Sequence, residues 1–204
     1  MLQISIGLMA LAAASFTANV AAADAKLARV TTAMKNSFET KGQATLDRLD
    51  QDETQALCSS YADSPLPPAV AQRIAATNRA TLRSPVAGQY LGDWKRGEKI
   101  AETGTGLQFS DDPTKPAGGN CYACHELSGT EMAFGTIGPS LRHYGKLRGT
   151  TRVAFETAWG KLYNSNAQTP CSAMPRFGHQ RILTEAQLKD VMAYLFDSAS
   201  PVNQ

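Results

Sequence analysis

An excess of charge of one sign is missing from this chain: 20 Lys and Arg against 18 Asp and Glu leave a net of +2 over 204 residues. So small a balance supplies no electrostatic footprint for nucleic acid or for a polyanionic surface. Histidine is scarce, with three in all, and cysteine numbers only four. Those few contain no second ligand pair at zinc-binding spacing, and no βαβ pattern frames a thioredoxin-like redox motif. Apolar–polar alternation of useful length is also lacking, which argues against half-buried strands and for an all-α class. What remains is ordinary: 43% hydrophobic positions, 16 Gly and 10 Pro are neither collagen-like nor grossly disordered. The length suffices for one or two modest domains with a real core.

Residues 1–23 lack charged side chains altogether. Ile4 to Ala14 is largely apolar, and Ala21, Ala22 and Ala23 precede Asp24. That layout is expected of an export signal, with the mature chain starting near Asp24. The rival reading is a membrane anchor, but a stretch dominated by Ala with Ser, Thr and Asn makes a poor spanning helix. Export to an oxidising compartment permits disulfides.

The chemistry is concentrated at Cys121-Tyr122-Ala123-Cys124-His125, the attachment pattern of a c-type haem. Thiols at i and i+3 share one side of a helical turn, where both can form thioethers with the porphyrin vinyl groups, and the adjacent imidazole then faces the iron. Random placement of these few residues produces the pattern in about one chain in a thousand. The cofactor expected is a single covalent haem c, held by Cys121 and Cys124 with His125 as one axial ligand.

Five residues compete for the second axial position. Met192 shares a helical face with Leu188, Val191 and Leu195 and reads as core. Met132 follows His125 by only 7 residues, too few to pass comfortably to the other ring face. His143 follows Gly138-Pro139-Ser140-Leu141, expected on the proximal side. Met174 lies 49 residues beyond His125 in Cys171-Ser-Ala-Met-Pro-Arg-Phe-Gly178, an irregular segment stiffened by Pro175. Met174 is the expected ligand, with His179 and an open iron as alternatives. Imidazole plus thioether favours ferrous iron and outer-sphere electron transfer. The Pro139 carbonyl is expected to accept a hydrogen bond from Nδ1 of His125 and so orient the ring.

Helices frame this site. Asp93 caps a short helix over 92–101 whose Gly97 implies close approach of another element, with Tyr194 expected over it. Thr184 and Gln187 fit a capping box opening a helix to Phe196. Thr150 to Leu162 reads as a third helix, and 163–170 as a plain loop. Residues 24–88 form an N-terminal helical extension: Leu27, Val30, Met34 and Phe38 have helical spacing, and Pro65-Leu-Pro67-Pro68 precedes another helical stretch near 69–83. It serves either as a brace on the 89–204 domain or as a partner-docking arm. Cys58 and Cys171 are left over, and an even remainder in an exported protein predicts a disulfide between them. Arg142, Lys146, Arg148 and Arg176 flank the haem segments and read first as solvated charge, with propionate pairing or partner contact as alternatives.

Residues 89–204 resemble class I cytochromes c through G-D-x-x-x-G, C-x-x-C-H, G-P-S-L, the Met-Pro turn and the last helix. More narrowly, CYACHEL, GTIGPSLRHYGKLRG, WGKLYN, CSAMPRFG and ILTEAQLKDVMAYL are similar to SoxX, the monohaem subunit of the SoxAX complex of bacterial sulfur oxidation. The resemblance implies a class I cytochrome c fold, a periplasmic location and a SoxA-like partner in a heterodimer. It implies membership of an L-cysteine S-thiosulfotransferase complex that couples thiosulfate to a cysteine of the carrier SoxYZ. This chain would accept electrons and pass them to a small soluble cytochrome c, and no bond-forming catalytic residue transfers to it. A free-standing periplasmic carrier cytochrome is the alternative.

Overall fold

The computed structural model describes residues 28–204, so the expected export signal over 1–23 lies outside the described residues, as does Leu27. The chain divides into two units between Asp50 and Gln51. Within the first, a helix covers 28–37 (α1) and a 3₁₀ turn covers Leu46–Leu49. Val30, Met34 and Phe38, whose spacing predicts the helix, stay exposed, and Lys35 pairs with Asp50.

The second unit carries six helices among the described residues: α2 (Glu53–Ser60), α3 (Pro68–Arg79), α4 (Trp94–Glu102), α5 (Tyr144–Arg148), α6 (Arg152–Tyr163) and α7 (Glu185–Phe196). No strand occurs there, only a lone bridge between Lys41 and Ala44 in the first unit. The fold is the all-α class expected. Residues 51–88 lie in the same compact unit as 89–204 and share buried polar groups with α6. Asn164, fully buried after α6, donates to Asn78 Oδ1 and Thr81 Oγ1, both at 2.9 Å. Asn78 in turn donates to Thr54 on α2 at 2.8 Å. Trp159 Nε1 donates to the Arg83 carbonyl at 2.7 Å. Buried polar groups are stable only when paired, so this network makes α2, α3 and α6 interdependent.

Helix starts follow the local chemistry read from the sequence. Asp93 accepts from the backbone N–H groups of Lys95 and Arg96, and Thr184 and Gln187 form the reciprocal capping box. The short α5 has no signature in the sequence, since five residues with Gly145 among them carry no usable period.

The core forms where α4 crosses α7. Tyr194, Met192, Val191, Leu188 and Leu127 are fully enclosed in the core, with Leu162 and Trp159 buried beside them. Asp190 of α7, buried, accepts two hydrogen bonds from the exposed Arg96 guanidinium, at 2.8 and 2.9 Å, and one from the Asp93 N–H at 2.8 Å. A Cβ added at Gly97 would sit 2.1 Å from the Asp190 carbonyl oxygen and 2.8 Å from Tyr194 Cβ. Only glycine permits that crossing, and Tyr194 rests over it as expected. Gly97→Ala should therefore cost about 2 kcal/mol even after its helix-propensity gain. A urea midpoint at or above the parent's would contradict the close approach.

Candidate haem-binding site

The attachment motif is hooked to the end of α4 by two backbone bonds, Gly119 N–H to the Ile100 carbonyl at 2.7 Å and Asn120 N–H to the Thr103 carbonyl at 2.9 Å. Asn120 takes a left-handed conformation, φ 47°, which asparagine tolerates, and turns the chain into a 3₁₀ turn over Cys121–Ala123. That turn keeps Cys121 and Cys124 at i, i+3, and His125 N–H closes it on the Cys121 carbonyl at 2.9 Å. Tyr122 points inward instead. Its hydroxyl meets those of Tyr194, at 2.8 Å, and Ser128, at 2.9 Å, so the motif's inner residue is locked to α7.

The return loop pins the imidazole. Gly138 N–H donates to the Cys124 carbonyl at 2.8 Å, and a Cβ at Gly138 would lie 2.2 Å from His125 Cε1. His125 Nδ1 is 2.7 Å from the Pro139 carbonyl. A carbonyl only accepts, so Nδ1 carries the proton and Nε2 keeps its lone pair for a metal.

The donor set fits a c-type haem and not the rivals. Cys121 and Cys124 are free of disulfide. Burial pushes the Cys121 thiol up to about 12, the opposite of the lowered values that redox-active C-x-x-C thiols need. Among the described residues no group of three or more His, Cys, Asp or Glu is arranged to hold a metal ion. One imidazole freed at Nε2, beside two unpaired thiols, is what a covalently attached porphyrin requires.

The five axial candidates separate by position. Met192 is fully buried in the core, and Met132 is 97% exposed. His143 is the N-cap of α5 at φ 56°, its N–H donating to the Val202 carbonyl at 2.6 Å, and its buried Nδ1 has no partner among the described residues. His179 is half-buried, and its N–H donates to the Tyr163 carbonyl at 2.9 Å. Burial, then the nearby Arg176 charge, lower its pKa against the opposing pull of Asp52. Met174 is half-buried against the apolar cluster that also receives Cys121 and Leu141. Its N–H donates to Ser172 Oγ at 3.2 Å, and its carbonyl accepts from Ser165 Oγ at 2.6 Å.

Two features of this loop depart from the pattern of its sequence. Residues 163–170 are no plain connector: Ser165–Ala167 form a buried 3₁₀ turn that serves Met174. Arg176, expected at the solvated surface, is 5% exposed and donates to Asp52 at 2.5 Å. A basic residue in a Pro/Gly-bounded turn carries no sign of burial until its partner, 124 positions away, is known. Burial raises the Asp52 carboxyl, but the Gln55 N–H and the bond and charge of Arg176 outweigh it and leave the pKa lowered. Of the other flanking cations, Lys146 is exposed, Arg142 lies 3.5 Å from Glu126 and Arg148 covers the Tyr144 ring. Cys58 and Cys171 form a disulfide with their Cα atoms 5.4 Å apart. No described helix is long and apolar enough to cross a membrane.

Comparison with known proteins bears on the same segment. The family described as Cytochrome c matches residues 95–198, just over half of the chain. An uncharacterized lipoprotein of Aquifex aeolicus (strain VF5) is 38% identical over 158 residues, covering 76% of this chain and 73% of that protein.

Proposed function

Since the chain belongs to the cytochrome c family, we propose that it is an extracytoplasmic monohaem electron carrier, in which Cys121 and Cys124 would hold the haem and His125 and Met174 would ligate its iron. The observation that carries this is the Nδ1–H of His125 locked on the Pro139 carbonyl beside two unpaired thiols. A haem held there supplies a one-electron ferric/ferrous couple. The protein's own part is to keep that couple unreactive. Pro139 and Gly138 fix the imidazole, and the pinned ring leaves little to rearrange when charge changes. Met174 offers a soft, neutral donor from an apolar wall, which favours the ferrous state and raises the potential. The extracytoplasmic reading draws on the uncharged residues 1–23 and on the name lipoprotein borne by the Aquifex relative.

The carrier reading has a direct test. Made in a host that attaches c-type haem, the protein should retain haem after denaturation, take up one electron reversibly, and bind no carbon monoxide when ferrous. Rapid carbon monoxide uptake would overturn it in favour of an open iron.

A narrower reading makes the chain the electron-accepting subunit of a SoxAX-like complex. Its support is the set of sequence blocks around Gly138-Pro139 and Met174. Thiosulfate together with a SoxA-like subunit and a SoxYZ-like carrier should then reduce this haem and, through it, a small soluble cytochrome c. A haem that stays oxidised in that mixture would leave the free-standing carrier as the function.

A further inference from the structure

One short helix holds the Met174 loop at both flanks. Cys58, in the last turn of α2, is bonded to Cys171, three positions before Met174. Asp52, the N-cap of α2, accepts from Arg176, two positions after it. Asp52 divides its oxygens between these tasks: Oδ1 takes the Gln55 N–H at 2.8 Å, and Oδ2 takes Arg176 Nη2 at 2.5 Å. Asp52 is the one ion-pair partner of Arg176 among the described residues. A guanidinium that leaves water needs an opposite charge, so Arg176 stays in place only while Asp52 meets it. Asp52 and Cys58 are six positions apart, about 9 Å of helical rise. The segment from Cys171 to Arg176 is thus fastened near both ends to a rigid rod, with Met174 between the fastenings.

We propose that Asp52 is a positioning residue for the distal ligand: through Arg176, and together with the Cys58–Cys171 disulfide, it keeps Met174 on the iron and shuts out external ligands. The proposal rests on Met174 being that ligand. With Met174 as a ligand of a bound haem iron, an external donor would have to displace its sulfur, and a loop fastened at both flanks would resist that displacement. Residues 51–60 are then part of the redox site without touching it, which gives the second unit's N-terminal helix a task beyond packing.

The test uses the full ferric holoprotein, with imidazole as the probe and the loss of the sulfur-to-iron absorption band as the signal. Asp52→Asn is the informative substitution, because asparagine caps a helix as well as aspartate does but offers Arg176 no charge. It should speed imidazole entry on the order of tenfold, the weight of one charge-assisted hydrogen bond. Gln55→Ala breaks the other half of the capping box, 2.9 Å from Oε1 to the Asp52 nitrogen, and spares the ion pair. Its entry rate should match the parent's, and Asp52→Glu should recover most of the parental rate. If Asp52→Asn is no faster, or Gln55→Ala is equally fast, Asp52 is only a cap and the proposal fails. Should Asp52→Asn not accumulate, Arg176→Gln deletes the pair from the other side and must produce the same acceleration. Met174→Ala is the control for the reading beneath: if the band survives that change, the ligand assignment fails and not the clamp.

Discussion

Met174→Ala should abolish the sulfur-to-iron absorption band and lower the reduction potential on the order of a few hundred millivolts. The direction follows from donor chemistry. A thioether stabilises ferrous iron, whereas the water or hydroxide that would enter an emptied position favours ferric iron. Carbon monoxide should then bind the ferrous variant and not the parent. The fold should survive, because the loop is held by bonds that do not involve the Met174 side chain: its N–H on Ser172, its carbonyl under Ser165, and the Cys58–Cys171 bridge. Spectroelectrochemistry on parent and variant decides the matter. An unchanged midpoint would transfer the distal position to His179 or leave it open, and the same measurement on His179→Ala would tell those apart.

Replacing both Cys58 and Cys171 with serine should destabilise the second unit by about 4 kcal/mol, visible as a lower denaturant midpoint. The bridge spans 113 positions, and in a chain-entropy treatment a closed loop of that size restricts the unfolded state by about 4–5 kcal/mol. The native state loses little in exchange, since the Asp52–Arg176 pair and the Asn78–Asn164 network still join α2 and α3 to the rest. A loss below about 1 kcal/mol would mean that the reduced unfolded chain is already compact. Haem retention should be unaffected in this variant, because the attachment thiols are a separate pair.

Legibility followed the range of each interaction. The α4–α7 crossing was open to inspection because its parts are local: a capping Asp93, a glycine at 97, and a capping box at Thr184. Helical period likewise assigned Met192 to the core, where it lies. Arg176 was misread as solvated because composition cannot distinguish a buried cation from an exposed one until its carboxylate is located. The joining of residues 51–88 to the 89–204 segment in one compact unit is hidden for a similar reason. The hydrogen bonds that bind 51–88 to α6 connect residues 76 to 86 positions apart, and amide side chains such as Asn78 and Asn164 announce no partner.

Short-range pattern carries the chemical expectation: a C-x-x-C-H turn with a Gly-Pro carbonyl downstream, one flexible sulfur beside a later proline, and helices spaced by ordinary apolar period. Those features are read within a few residues, where covalent spacing and backbone propensity act. Folding alone reveals what steadies them: the hydroxyl of Ser165 beneath Met174, and the Asp52 carboxylate on a buried Arg176. Each of those depends on two distant polar groups losing water together, and that cost is balanced only in the folded state, where their geometry is made.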